Sequence, residues 1–87
     1  MAIEKILVLD DEPLIRKSLS LILQRRRASV ATAATLAEAR RHLAADSFDM
    51  VFMDLRLPDG DGTDLLKELT ANHERPFIVM MTGYGSL

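Results

Sequence analysis

The alternation of short apolar runs with amphipathic stretches constrains the fold of this chain more than any other feature of its sequence. Four runs are too short for helices and predict strands, namely 6–9, 28–33, 50–53 and 77–81. Between them, apolar residues recur at helical spacing over 13–27, 35–45 and 63–72. The predicted order is βαβαβαβ, which indicates an α/β fold with a doubly wound parallel sheet and helices on both faces.

Local signals mark the starts of the predicted helices. Pro13 suits the first turn of the first helix, and Asp11 is placed to cap it. The segment Thr35-Leu36-Ala37-Glu38 has the spacing of a capping box. A dense turn signal, Pro58-Asp59-Gly60-Asp61-Gly62, precedes the third helix. The first helix also carries one apolar stripe, formed by Leu14, Ile15, Leu19, Ile22 and Leu23.

Length and charge exclude several classes of function. The 87 residues allow one small domain, and 11 basic against 13 acidic side chains give no electrostatic reason for this segment to bind nucleic acid. The absence of cysteine excludes disulfides, thiolate metal sites and a cysteine nucleophile. No apolar run approaches the ~20 residues of a membrane span, and the first residues do not resemble a signal peptide. We therefore expect a cytoplasmic protein.

Polar side chains follow three of the predicted strands. Asp10 and Asp11 follow the first, Asp54 the third and Thr82 the fourth. The carboxyl ends of parallel strands lie at one edge of a sheet, where ligands of open α/β folds bind. Carboxylates that converge there repel one another unless a hard cation such as Mg²⁺ is bound. An aspartate can also act as a nucleophile that forms an aspartyl phosphate, and the hydroxyl of Thr82 could then donate to a phosphoryl oxygen.

Each of these residues also has a purely structural explanation. Asp11 and Glu12 could serve the positive end of the first helix, and Asp54 could be a turn residue before Pro58. Thr82 alone is an ordinary strand-end residue. The combination is harder to explain in this way, because helix caps do not require acids after two strands and a hydroxyl after a third.

At these positions the sequence resembles the receiver domain of bacterial response regulators. The matching motifs are Leu9-Asp10-Asp11-Glu12, Met53-Asp54-Leu55, Pro58-Asp59-Gly60 and Thr82-Gly83. The segments 8–13 and 82–86 look like the nitrogen-regulator type, which activates transcription. The resemblance implies a flavodoxin-like fold, with strand order 2-1-3-4 for the strands present here.

The resemblance also implies roles for individual residues. Asp54 matches the phosphorylated aspartate, Asp10 and Asp11 match the magnesium-binding pair, and the backbone carbonyl of Arg56 matches a further metal ligand. Thr82 matches the switch hydroxyl. A sensor histidine kinase would donate the phosphoryl group, and the receiver would promote its own phosphorylation and dephosphorylation without being a dedicated enzyme.

The segment 1–87 is similar to the N-terminal portion of a receiver, without its fourth helix, fifth strand and last helix. The lysine expected after the fifth strand is then absent too, so we expect Asp54 to be a poor or silent acceptor in this segment. The apolar run 77–81 would form an open sheet edge, which predicts a dimer or larger oligomer.

Two alternatives remain open from the sequence. One is a truncated receiver that acts only by interaction or oligomerisation. The other is a phosphatase with an aspartyl nucleophile; the haloacid dehalogenase type has a second aspartate two residues after the nucleophile, where this chain has Arg56.

Overall fold

The strands and helices alternate as the sequence predicts. The computed structural model describes residues 5–71 and 76–81. Its elements are β1 (Lys5–Leu9), α1 (Pro13–Arg25), β2 (Ser29–Ala33), α2 (Leu36–Ala45), β3 (Met50–Asp54), β4 (Arg56–Leu57), β5 (Gly60–Asp61), α3 (Thr63–Thr70) and β6 (Phe77–Met81). The predicted turn between the third strand and the third helix is a small antiparallel ribbon, formed by β4 and β5.

The four longer strands form one parallel sheet in the order β2-β1-β3-β6. This confirms the predicted doubly wound, flavodoxin-like fold and the 2-1-3-4 order of its strands. β1 and β3 are the two inner strands, and their register pairs Leu9 with Met53. The residues that follow β1 therefore lie beside the end of β3, at the carboxyl edge of the sheet.

The main core lies between the sheet and the pair of helices α2 and α3. Leu7, Leu9, Val51 and Met53 of the inner strands are fully buried there, and they pack with residues of both helices, including Ala39 and Leu65. α2 and α3 are joined on their outer side by the ion pair of Arg40 with Glu68, at 2.7 Å. Burial of whole apolar runs explains why these strands do not alternate apolar and polar residues.

The opposite face of the sheet, beside α1, is less covered. The register places Val8, Phe52 and Val79 in one row across β1, β3 and β6. Val8 is fully buried and Phe52 half-buried, whereas Val79 is exposed. In the apolar stripe of α1, Leu19 and Leu23 are half-buried, whereas Leu14 and Ile22 are 73% and 53% exposed. Within the described residues, α1 thus covers the side of this face near β1 and β2 and leaves β6 open.

The helix starts confirm one sequence prediction and correct another. Thr35 caps α2 by accepting the N–H of Glu38 at 3.1 Å, as the capping box predicted. The prediction that Asp11 caps α1 was wrong, because the N-cap position is Glu12 and its side chain makes no capping hydrogen bond. The N–H of Glu12 is instead bound by a carboxylate oxygen of Asp10, at 2.9 Å.

In the described part of the chain, no helix combines the length and the apolar character needed to cross a membrane.

Candidate functional site

The ends of the two inner strands bring Asp10 and Asp54 together. Asp10 follows β1 directly, and Asp54 is the last residue of β3. Both side chains belong to buried residues, with exposed fractions of 5% and 7%. Acidic residues are seldom buried to this extent without a partner, so their position at the carboxyl edge of the sheet indicates a site.

Asp11 joins these two residues to form what we call the acidic cluster, namely Asp10, Asp11 and Asp54. One carboxylate oxygen from each residue lies within 4.8 Å of the other two. Asp11 is exposed and therefore lies on the solvent side of the cluster, with the two buried residues beneath it. Three carboxylate oxygens at this separation are the kind of ligand set that hard divalent cations prefer.

The backbone of Asp10 is held at both of its polar groups. Its N–H donates to the carbonyl oxygen of Ala33 in β2 at 3.0 Å. Its carbonyl oxygen accepts a hydrogen bond from Nη1 of Arg16 in α1, at 2.8 Å. Its side chain accepts the N–H of Glu12. The loop between β1 and α1 is therefore tied to a neighbouring strand and to the helix that it enters.

Asp54 is oriented by the chain that follows it. Its Oδ1 accepts the backbone N–H of Arg56 at 3.1 Å. Arg56 opens the ribbon of β4 and β5, which begins two residues after the acidic side chain. The ribbon is closed by Gly60, whose φ of 141° is a conformation that residues with a Cβ rarely adopt. The N–H of Gly62 then returns to the carbonyl of Leu55 at 2.8 Å.

Electrostatics in the acidic cluster favour a bound cation. Burial raises the pKa of Asp10, and the negative charges of Asp54, Asp11 and Glu12 raise it further. The hydrogen bond from the N–H of Glu12 acts in the opposite direction on this pKa. The charged form of Asp10 is thus disfavoured in the protein alone, and a cation between the carboxylates would relieve both the burial cost and the repulsion. The residues present therefore fit a magnesium ion.

Two further aspartates near this edge have a different surrounding. Asp59 binds the first backbone N–H groups of α2 with both carboxylate oxygens, at 2.8 Å to Leu36 and 3.0 Å to Ala37. Asp61 accepts both the backbone N–H and the hydroxyl of Thr63 at the start of α3. These hydrogen bonds lower the pKa of Asp59 and of Asp61. We call this pair the capping aspartates.

Of the predicted site residues, the structure brings Asp10, Asp11 and Asp54 together and places Arg56 beside Asp54. Thr82 lies outside the described residues. The role of Arg16 was not predicted from the sequence. An arginine in a helix, six residues after the acid whose carbonyl it binds, carries no motif that would have marked it.

Comparisons with known proteins agree on one family. The family model described as "Response regulator receiver domain" matches residues 6–87. Response regulator protein PilR of Pseudomonas aeruginosa is 41% identical over 87 residues, which cover 100% of this chain and 20% of PilR. The chain thus spans about a fifth of the length of this relative.

Solved structures show the same likeness. The receiver domain of NtrC4, solved in solution as a beryllofluoride-activated dimer, has a TM-score of 0.81 and 35% identity over 95% of this chain and 69% of its own. A response regulator of Burkholderia pseudomallei, solved with a phosphorylated aspartic acid, a calcium ion and citrate, has a TM-score of 0.82 and 30% identity. That match covers 97% of this chain and 49% of the other.

Proposed function

Because this chain belongs to the response regulator receiver family, we propose that it is a phospho-accepting module in which Asp54 receives the phosphoryl group and the acidic cluster holds Mg²⁺. The observation that carries the proposal is the convergence of Asp10, Asp11 and Asp54 within 4.8 Å at the carboxyl edge of the sheet. The capping aspartates support it by contrast, because they are exposed and their hydrogen bonds lower their pKa values, whereas burial and neighbouring carboxylates raise the pKa of Asp10.

Asp54 has the properties that a nucleophile in this reaction requires. A carboxylate oxygen attacks the phosphorus of a phosphohistidine, a phosphorus–oxygen bond forms, and the phosphorus–nitrogen bond to the histidine breaks. The N–H of Arg56 orients the attacking carboxylate, and burial at the end of a central strand keeps its position fixed. The carboxylate is itself the nucleophile, so the attack needs no hydroxyl or thiol proton to be removed by a general base.

The remaining residues of the site have supporting roles in this proposal. Asp10 and Asp11 contribute carboxylate oxygens to the metal, and the backbone carbonyl of Arg56 is a further proposed ligand. Bound Mg²⁺ would neutralise the acidic cluster and the charge on the phosphoryl oxygens. Thr82 is proposed to donate its hydroxyl to a phosphoryl oxygen, as the switch residue of the module.

The partner that fits this chemistry is a sensor histidine kinase, which carries phosphohistidine. Because the chain covers a fifth of PilR and about a third of the transcriptional regulatory protein KdpE of Mycobacterium tuberculosis, regulation of transcription is a proposal for a larger protein that contains this segment. No contact of the segment itself with nucleic acid is proposed, since its formal charge is −2.

Phosphorylation is tested by incubating the chain with Mg²⁺ and a small-molecule phosphodonor and measuring the intact mass. We expect slow addition of one phosphoryl group, which requires Mg²⁺, is absent in Asp54→Asn and persists in the matched variant Asp59→Asn. An adduct that survives in Asp54→Asn would contradict the assignment of the acceptor. Repeated turnover of the donor would instead support the aspartyl phosphatase.

A second candidate function, self-association, is favoured by the surface of β6. β6 is one of the two outer strands of the described sheet, and its apolar residues Val79 and Met80 are exposed by 36% and 40%. An apolar edge strand invites pairing with another chain. We propose that the segment forms dimers or larger oligomers through this strand and the open sheet face beside α1.

Sedimentation over a range of concentrations tests this second proposal. We expect association that weakens in Val79→Lys, because a charged side chain at an edge disfavours pairing. The matched control is Ser29→Lys on the opposite outer strand, which should leave association unchanged. A chain that stays monomeric at high concentration would exclude the proposal.

A further inference from the structure

Arg16 makes a contact that the proposed chemistry does not use. It lies in the first turns of α1, and its Nη1 donates to the carbonyl oxygen of Asp10 at 2.8 Å. Its backbone N–H donates to the carbonyl of Glu12 at 3.1 Å, as the first hydrogen bond of the helix. Arg16 thus holds the acidic loop at two carbonyls, one on each side of Asp11.

These contacts restrict the backbone that carries the acidic cluster. Asp10 has its N–H bound to Ala33 in β2 and its carbonyl bound to Arg16 in α1, so the peptide groups on both sides of its Cα are fixed. Since the peptide that carries this carbonyl leads into Asp11, fixing it also limits where the exposed carboxylate of Asp11 can turn. A charged donor makes a stronger hydrogen bond to a carbonyl than a neutral donor does.

Arg16 does not lie among the carboxylates as a counter-ion would. It lines an open groove between α1, β2 and α2, together with Thr32, Ala34, Glu38, Arg41, His42 and Ala45. Its side chain binds a backbone oxygen at the site, and the two buried carboxylates, Asp10 and Asp54, accept from backbone N–H groups. This geometry favours a role in which Arg16 positions the loop over one in which it neutralises the charge of the carboxylates.

We propose that Arg16 is a positioning residue for the metal site, which holds the Asp10 carbonyl so that the carboxylates of Asp10 and Asp11 converge with Asp54. The inference rests on the proposed function, because it takes the acidic cluster to be the Mg²⁺ site. Mg²⁺ requires nearly ideal octahedral geometry, whereas Ca²⁺ tolerates irregular sites. Loosening of the loop should therefore weaken Mg²⁺ binding more than Ca²⁺ binding.

A positioning role and a purely electrostatic role predict opposite changes in Mg²⁺ affinity when Arg16 is replaced by a neutral residue. Removing a positive charge near a cation site should tighten the binding of the cation if charge alone matters. Loss of positioning should weaken it. The matched control is Arg41→Met, which removes the same charge from the same groove and leaves the hydrogen bond to Asp10 in place.

The experiment measures Mg²⁺ and Ca²⁺ affinities by isothermal titration calorimetry for the 87-residue chain and its variants, with thermal melts in EDTA to follow folding. For Arg16→Met we expect Mg²⁺ to bind about tenfold more weakly, on the scale of lost outer-shell contacts, with a smaller loss for Ca²⁺. Arg41→Met should bind Mg²⁺ as the parent does or slightly more tightly. Arg16→Lys should recover part of the affinity, because a single donor suffices for the one hydrogen bond seen.

Several outcomes would overturn the inference. They are an unchanged or tighter Mg²⁺ affinity in Arg16→Met, and an equal loss for both cations. If Arg16→Met does not fold, Arg16→Gln replaces it, since glutamine suits a helix but is too short to reach the Asp10 carbonyl. Loss of the fold in both variants would make Arg16 structural and also overturn the assignment. Failure of the parent chain to bind Mg²⁺ would instead refute the proposed function.

Discussion

The acidic cluster and the capping aspartates are built from the same side chain at one edge of the sheet, yet their surroundings differ. Asp10 and Asp54 are buried and face each other and Asp11, and the pKa of Asp10 is raised. Asp59 and Asp61 are exposed, are bound by donors at helix starts, and have lowered pKa values. Asp10 and Asp54 each accept one backbone N–H as well, but they also face other carboxylates, and a cation would relieve that repulsion.

The largest expected difference between the two sets is in their response to Mg²⁺. At a concentration one hundred times the Kd, binding to the folded state adds about 2.7 kcal/mol to the free energy of unfolding. Asp11→Asn should lose most of this stabilisation, because Asp11 is exposed and its replacement removes a proposed metal ligand without disturbing the core. Asp61→Asn should keep it. Thermal melts with Mg²⁺ or EDTA measure the shift in melting temperature. Full stabilisation of Asp11→Asn by Mg²⁺ would contradict the proposed difference between the acidic cluster and the capping aspartates.

Without metal, Asp10→Asn should stabilise the fold. The asparagine keeps an oxygen that can accept the N–H of Glu12, and it removes a buried charge that repels Asp54 and Asp11. We expect a gain of about 1 kcal/mol in the free energy of unfolding, opposite in sign to the usual effect of a point mutation. Urea unfolding in EDTA measures it. A loss of stability would mean that the cluster is not under electrostatic strain.

Asp59→Asn should have the opposite and smaller effect. The substitution removes a negative charge from the start of α2 and leaves one acceptor oxygen where the carboxylate has two. The melting temperature should fall slightly, with Mg²⁺ binding unchanged. Thr35 keeps its own capping hydrogen bond to Glu38, which limits the loss. A large fall in Mg²⁺ affinity in this variant would show that the two sets of aspartates are not independent.

The smallest expected effect is the pH dependence of the stability difference between the parent and Asp59→Asn. Because the folded-state pKa of Asp59 is lowered, its contribution to stability is fully present above the unfolded pKa of about 3.9 and is lost as pH falls through the folded pKa. The difference in melting temperature between the parent and Asp59→Asn should be constant from neutral pH to about pH 5 and shrink below about pH 4. A constant difference down to the lowest pH would show that charge is not the cause.

The apolar runs predicted the strands and the acidic residues at their ends, whereas the sheet order, and with it the convergence of Asp10, Asp11 and Asp54, was predicted from the resemblance to receiver domains. The sequence predicted the cap of α2 by Thr35, since that hydrogen bond reaches only three residues along the chain. It placed Asp59 in a turn and could not place it at α2, because that contact joins residues 22 and 23 positions apart.

Two features of α1 differ from what the sequence predicted or could predict, one for a local reason and one for a non-local reason. The acid that serves the start of α1 is Asp10, through the N–H of Glu12, and residue type alone did not distinguish it from its neighbour Asp11. The apolar stripe of α1 was visible in the sequence, but the exposure of Leu14 and Ile22 depends on what covers that face of the sheet. Periodicity identifies a face that can be buried and does not identify its partner.

The central claim is that Asp10, Asp11 and Asp54 form the cation site and the capping aspartates do not. Calorimetric titration with Mg²⁺ of the parent, Asp54→Asn and Asp59→Asn tests it most directly, because each variant exchanges one carboxylate for one amide. We predict one site in the parent and in Asp59→Asn with equal affinity, and binding weakened by about tenfold or more in Asp54→Asn. Equal affinity in Asp54→Asn and the parent, or an equal loss in both variants, would contradict the claim.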